Sequence, residues 1–230
     1  MPVTIAAVVG CLVAAVVTGA AARADLTRKP TAAELSAAAA GALAGRWRTW
    51  PSGKIFPAAL GYGTDLLTQE NARRVGIASA TACPAGLDAT LRGLAARDGC
   101  RAVLRATYVD QLQGVVYTLG VVAFASPRRA AAFARDLPKG QSEVTGLNAL
   151  AFAGTASAAF VDPGRQAATS SQRGPYVVLT VAGYADGAPA AATLQRRAAD
   201  FTPATQLAGE VIAPLAVPAV VSCQSRAFSC

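Results

Sequence analysis

The chain has 230 residues, 53% hydrophobic and 15% charged, with a formal net charge of +8. This length predicts one domain with a proper core after an N-terminal segment. Arginine pairs lie scattered at positions 73–74, 128–129 and 196–197. Because no basic stripe is interleaved with aromatic residues, a nucleic-acid partner is not expected.

Residues 3–22 are uncharged and apolar, long enough for a helix across the ~30 Å hydrocarbon core of a bilayer. Three interpretations fit this segment: an uncleaved signal anchor, a signal peptide cleaved after Ala24, and a lipoprotein signal ending at Cys11. Basic residues follow the segment and favour a cytoplasmic domain, whereas the cysteines farther along favour an oxidising compartment. We predict a single-pass protein of the cell membrane, with its C-terminal domain extracytoplasmic.

Residues 25–50 form an Ala-rich stalk, in which Thr31 followed by Glu34 is typical of a capping box at the start of a helix. The stalk ends in two tryptophans, Trp47 and Trp50. They are interpreted as packing the stalk onto the domain, or as an interfacial anchor or a partner-binding surface. The predicted organisation is a membrane segment at 1–24, the stalk at 25–50 and the extracytoplasmic domain at 51–230.

The domain begins with weak strand signals at 55–62, where Pro57 favours an edge, and at 75–78. An amphipathic helix is predicted over 87–98. The clearest unit follows: alternation over 101–110, a polar turn ending in Gly114, and an apolar β-branched run over 115–125. A helix is predicted over 127–137, with Ser126 as its N-cap.

The second half of the chain loosely repeats this pattern. Strands are predicted over 151–162 and 176–184, with a loop between them that is flexible over 169–174. A helical stretch after Asp186 and a last helix from Thr202, with Leu207 and Val211 inward, complete the chain.

This order of elements predicts an α+β fold. Strand, helix, two strands, helix and strand are typical of a ferredoxin-like β-α-β-β-α-β antiparallel sheet with helices on one face. An extra strand and a C-terminal helix follow. The other sheet face would then need a cover, and Tyr108, Tyr117 and Tyr184 are predicted to form an interaction surface there for a partner or a second copy.

Four cysteines lie outside the membrane segment, and an even number in an extracytoplasmic protein predicts disulfides. Of the three connectivities, we favour Cys83–Cys100, which brackets the helix at 87–98, with Cys223–Cys230 closing a C-terminal loop. Zinc is disfavoured because the chain has no CxxC motif and no histidine.

The lack of histidine also excludes Ser-His-Asp and Cys-His catalysis. A Ser-Lys dyad would need Lys54 or Lys139, and neither lies in a recognisable motif. A pair of carboxylates is the other possibility, with candidates Asp65, Glu70, Asp110, Asp162 and Asp186. The last three stand at strand ends, where Asp ordinarily forms turns and caps. No catalytic, cofactor-binding or metal-binding residue is therefore assigned, and we do not expect an enzyme.

The stretches KIFP…LGY, RRVGIA…C, GCRAVLRATYVD and GVVYTLGVVAF resemble a group of uncharacterised actinobacterial membrane-anchored extracytoplasmic proteins. The resemblance covers residues 54–137 well and the C-terminal half weakly. It implies an anchor, an outward domain and a disulfide, and it carries over no catalytic residue and no activity.

The function predicted from these observations is that of a non-enzymatic binding or interaction module at the cell envelope, with a protein or envelope partner. The alternative is a small-ligand-binding, sensor-like domain with an apolar pocket between the sheet and the helices.

Overall fold

The computed structural model describes residues 14–16, 18–19, 23, 28–63, 68–138, 146–189 and 198–221. Its helices are α1 (Ala32–Thr49), α2 (Ser52–Ile55), α3 (Cys83–Gly86), α4 (Ala89–Arg97), α5 (Pro127–Arg135) and α6 (Pro203–Leu215). Its strands are β1 (Ala59–Gly63), β2 (Gln69–Ile77), β3 (Ala102–Val109), β4 (Val115–Ala123), β5 (Ala167–Arg173) and β6 (Tyr176–Tyr184). The chain divides into two compact units, residues 1–39 with 220–230 and residues 40–219, and the sheet belongs to the second.

The predicted hairpin and its helix are confirmed as β3, β4 and α5. The two strands pair from Ala102 with Ala123 to Val109 with Val116, and β3 is buried along its whole length. Asp110 Oδ1 accepts a hydrogen bond from the Val115 N–H at 2.9 Å, which closes the turn. The Ser126 hydroxyl accepts from a backbone N–H in the first turn of α5 and caps that helix as predicted.

The sheet has six strands in the order β1-β2-β3-β4-β6-β5, and every neighbouring pair is antiparallel. The α+β class is therefore confirmed. The ferredoxin-like order is not confirmed, because that order needs a helix crossing over between parallel strands. The four strands β1 to β4 instead lie side by side in chain order. Strand β6 pairs with the other side of β4, and β5 pairs with β6 at the edge of the sheet.

Helices cover both faces of the sheet, so the prediction of helices on one face is wrong. Alternate residues of the central strands feed two cores. One core includes Tyr108 and Tyr117 together with α6 residues such as Leu207 and Val211. The other includes Leu91 of α4 and Phe133 of α5. We call the first the α6 face and the second the α4–α5 face.

The strand predicted over 151–162 is not formed. Residues 153–162 are rich in turns. The stretch before them, residues 146–152, lies outside the named helices and strands, and we call it the strap. The strap crosses the α4–α5 face: Thr107 Oγ1 donates to the Leu150 carbonyl at 2.6 Å, and the Leu150 N–H donates to Thr118 Oγ1 at 3.1 Å. Arg105 Nη1 donates to the Asn148 carbonyl at 3.2 Å. Side chains of the sheet thus serve as hydrogen-bond partners for the backbone of the strap, a role that a neighbouring strand would otherwise fill.

Two strands lie where sequence signals were weak or absent. The segment predicted as a flexible loop over 169–174 is largely strand β5, an edge strand paired only with β6 among the described residues. The signals at 55–62 and 75–78 correspond to α2 followed by β1, and to the end of β2. The strand predicted over 176–184 is confirmed as β6, and the last predicted helix as α6 with Leu207 and Val211 buried.

No helix among the described residues is long and apolar enough to span a membrane. The predicted membrane segment, residues 3–22, lies mostly outside those residues, as does much of the helical stretch predicted after Asp186. In the first unit, Thr31 and Glu34 form the predicted capping box. The Glu34 N–H donates to Thr31 Oγ1 at 3.3 Å, and the Thr31 N–H donates to Glu34 Oε2 at 2.8 Å.

Candidate functional site

The second half of α1 is attached to the α6 face. Trp47 and Trp50 are half-buried against that core, and the Tyr176 hydroxyl donates to the Leu43 carbonyl at 2.6 Å. The interpretation of the tryptophans as packing the stalk onto the domain agrees with this arrangement. The same contacts fix the last turn of α1, where the basic residues Arg46 and Arg48 lie.

Arg46 joins the end of α1 to the end of α6. Its Nη1 atom donates to the carbonyls of Leu215 at 2.9 Å and Val217 at 2.5 Å. These carbonyls lie at the C-terminal end of α6, where backbone acceptors lack helical partners and the helix dipole favours a cation. The guanidinium carbon also lies 4.9 Å from the centroid of the Trp50 ring.

Lys54 approaches the same ring from the short helix α2. Its Nζ atom lies 4.0 Å from the Trp50 ring centroid, within the range of a cation–π contact. Both cation–ring contacts among the described residues therefore involve Trp50. Lys54 and Arg48 are exposed, whereas Trp50 and Arg46 are half-buried.

Arg74 of β2 borders this group. Its Nη1 atom donates to the Phe56 carbonyl, and it lies 3.8 Å from the position that a Cβ atom would take at Gly53. Arg74 therefore lies along the segment that contains Lys54. We refer to Arg46, Trp50, Lys54 and Arg74 together as the Trp50 cluster.

The Trp50 cluster is not neutralised by the protein. In the described parts of the chain, none of its three cations forms an ion pair with a carboxylate. The sequence explains this, since no Asp or Glu occurs over residues 35–64 or 211–230. The cations are instead held by carbonyl oxygens and an aromatic ring, which leave their positive charge uncompensated.

The predicted tyrosine surface is not open to a partner. Tyr108 and Tyr117 are 0% and 1% exposed beneath the chain's own α6 face, and Tyr184 is half-buried at its margin. Burial raises the pKa of the Tyr108 and Tyr117 hydroxyls. The Tyr108 hydroxyl donates to the Pro57 carbonyl at 2.9 Å, and the Tyr184 hydroxyl to Asp200 Oδ2 at 2.8 Å. This part of the predicted interaction surface is corrected to core.

The carboxylates considered for catalysis have local hydrogen-bonding roles. Asp110 and Asp186 each accept from a nearby backbone N–H at 2.9 Å, as expected for turn residues. Asp162 Oδ1 accepts from the more distant Ala149 N–H at 2.7 Å. Glu70 Oε2 accepts from the Tyr62 hydroxyl at 2.7 Å. Asp65 lies outside the described residues.

The predicted disulfide between Cys83 and Cys100 is confirmed, with an S–S distance of 2.03 Å. It joins the start of α3 to Cys100, two residues before β3, and closes a loop with a sequence separation of 17. The second predicted bond, Cys223–Cys230, falls outside the described residues. Across the described ranges, no group of three His, Cys, Asp or Glu side chains is placed to hold a metal ion.

A cavity of about 90 Å³ lies on the α4–α5 face, beside the edge of the sheet. Its lining is mainly aliphatic, from Leu91, Leu137, Leu147 and Leu179, with Ser170 of β5 at the edge. Pockets for drug-sized ligands measure about 300–1,000 Å³. The cavity therefore has room for only a few heavy atoms.

Sequence reasoning found the two tryptophans of this region and missed the cations around them. A signal was present: Arg46, Trp50 and Lys54 are spaced four residues apart, and residues at this spacing lie on one face where the chain is helical. The acid-free stretch over 35–64 was a second signal. Arg74 could not be found in this way, because its position depends on the pairing of β1 with β2.

No family model, curated protein or solved structure matches the chain. The geometry is therefore the basis for the functional argument: an α+β domain with both sheet faces covered by its own segments, and a cationic, aromatic surface at the end of α1.

Proposed function

We propose that the chain is a membrane-anchored extracytoplasmic protein whose domain is a non-enzymatic binding module of the cell envelope. Residues 3–22 are its anchor, and α1 connects that anchor to the domain. The observation that carries the binding role is the Trp50 cluster, where two cations contact an indole ring and a third, Arg74, borders them, without a carboxylate. Such a surface suits an anionic partner.

The outward orientation is supported by the Cys83–Cys100 disulfide. Structural disulfides form and persist in oxidising compartments and are rare in the cytosol. The bond ties the start of α3 to the start of the central hairpin and so links two elements of the fold.

The alternative function, a small-ligand sensor, is supported only by the cavity beneath the strap. Its aliphatic lining would accept a small apolar molecule. Because both sheet faces are filled by the chain's own side chains, a larger ligand would have to displace part of the core. We therefore favour the binding module.

The test is thiol mapping of the full chain purified from intact cells without reductant, combined with membrane fractionation. We expect Cys83 and Cys100 to be oxidised in one peptide pair, and the protein to remain in the membrane fraction after an alkaline carbonate wash. Free thiols at both positions, or release by the wash, would contradict the proposal.

A further inference from the structure

The residue composition of the Trp50 cluster limits the chemical class of partner that it suits. Cations alone would suit any acidic protein or polymer. Here two basic side chains contact an indole ring at 4.0 and 4.9 Å. Beside them, Val217, whose carbonyl accepts from Arg46, is 54% exposed.

Tryptophan is enriched at the headgroup level of membranes, because its ring is apolar with one polar N–H. Lysine and arginine stems lie along apolar surface while their charged ends reach phosphate. A half-buried indole, the exposed cation Lys54 over its ring and an exposed valine beside Arg46 therefore fit a membrane interface. The cluster carries no carboxylate that would repel anionic headgroups.

The position of the cluster along the chain favours the same partner. Trp50 follows the proposed membrane segment by 28 residues. If residues 3–22 are anchored, the chain tethers the cluster to the bilayer, and docking is intramolecular with a raised effective concentration. A contact that would be weak between free molecules then becomes significant.

We propose that the Trp50 cluster docks onto anionic lipid headgroups of the bilayer in which the chain is anchored. This inference rests on the proposed function for the anchor. The exposed cation Lys54 contacts lipid phosphate, and Trp50 lies at the headgroup level. Arg46 and Arg74 position the ring and the segment that carries Lys54.

The chain offers a specific reporter, since Trp47 and Trp50 are its only two tryptophans. The full chain is reconstituted in nanodiscs of phosphatidylcholine, alone or mixed with phosphatidylglycerol. A trace of headgroup spin-labelled lipid then quenches the intrinsic fluorescence in proportion to docking. For each protein, the fluorescence in labelled nanodiscs is divided by the fluorescence in unlabelled nanodiscs. A variant's changed contact with Trp50 then does not affect this ratio.

For the natural chain, we expect quenching in anionic nanodiscs, little in neutral ones, and loss of quenching at about 1 M salt, where the Debye length falls to about 3 Å. Removing the exposed cation in K54Q is expected to lower the docking equilibrium about fivefold, as for one charge near an anionic surface. The matched control is R128Q, an exposed arginine of α5, which is expected to change docking less than twofold.

Quenching that is equal in neutral and anionic nanodiscs, or equal losses in K54Q and R128Q, would overturn the inference. A response to added polyglutamate without a response to anionic lipid would overturn it in favour of an acidic protein partner. These outcomes differ from failure of the proposed function, in which the chain would not remain with the nanodiscs at all. Unchanged circular dichroism of both variants in neutral nanodiscs shows that neither result comes from misfolding.

Discussion

The strap is held against the sheet by a contact that a double-mutant cycle can measure. At Gly120 of β4, an added Cβ atom would overlap the Leu147 Cδ1 atom and would lie 2.9 Å from Cδ2 and 3.2 Å from Cγ. Leu147 is fully buried. Glycine at position 120 is therefore required for the strap to lie this close to the central strand.

The Gly120→Ala variant is expected to destabilise the fold by about 1–3 kcal/mol, because the core must shift to admit one methyl group. Leu147→Ala is expected to cost about 2–5 kcal/mol, from lost burial and the cavity that remains. In the double variant the clashing atoms are gone, so Gly120→Ala should cost less than about 0.5 kcal/mol. The coupling free energy is then about 1–3 kcal/mol.

The assay is urea unfolding of the full chain in detergent, followed by the fluorescence of the two tryptophans. Gly114 provides the control, since it is exposed in the β3–β4 turn with open space at its Cβ position. Gly114→Ala should change the free energy of unfolding by less than about 0.5 kcal/mol in either background. Additive costs for Gly120→Ala and Leu147→Ala, within about 0.5 kcal/mol, would refute the described packing of the strap.

Three further predictions concern other parts of the fold. C83S/C100S should lower the free energy of unfolding by about 3 kcal/mol, as expected for a loop of this size, and a reductant should then have no further effect on the urea midpoint. Arg46→Gln should cost about 1.5–3 kcal/mol through its charged hydrogen bonds to the end of α6, whereas the exposed Arg128→Gln should cost less than about 0.5 kcal/mol in the same assay. Because burial raises the pKa of Tyr117, its protonated state stabilises the fold fully below about pH 10, the unfolded pKa, and that stability is lost above it at about 1.4 kcal/mol per pH unit. The slope of stability against pH should be reduced by that amount in Tyr117→Phe, and an unchanged slope would contradict the burial of this hydroxyl.

The hairpin and its helix were predictable because their signals are local. Alternation, a polar turn ending in Gly114, and Ser126 followed by proline each act within a few residues, and β3, β4 and α5 follow them closely. The Cys83–Cys100 bond was also predictable, since these two cysteines bracket one helix. Such features do not depend on what the rest of the chain does.

The strand predicted over 151–162 is not formed, for a reason that the sequence pattern does not show. Apolar residues there indicated burial, and the segment does contain buried side chains such as Phe160. The segment is buried by turns that fold against the sheet. The strap before it is held there because Thr107, Thr118 and Arg105 form hydrogen bonds to its backbone. A hydrophobic pattern shows that a segment is covered, but not which groups satisfy its backbone.

The opposite error occurred at β5. Its residues are small and polar, with Thr169, Ser170 and Gln172 in the centre, so neither face shows a hydrophobic alternation. The strand is specified by its neighbour β6, which is apolar along its length. An edge strand that is half-exposed needs little apolar surface of its own, which is why composition indicated a loop.

The tyrosine face shows the same limit for the candidate site. Period two placed Tyr108 and Tyr117 correctly on one face of the sheet, but it did not reveal that α6, about ninety residues farther along, covers that face. Since the chain fills both faces itself, the surface left for a partner is the perimeter. Among the described residues, the cations that contact a ring there are Arg46 at the end of α1 and Lys54 of α2, both against Trp50. The segment from Arg46 to Lys54, which follows the proposed anchor in the chain, thus also carries the proposed contact with the membrane.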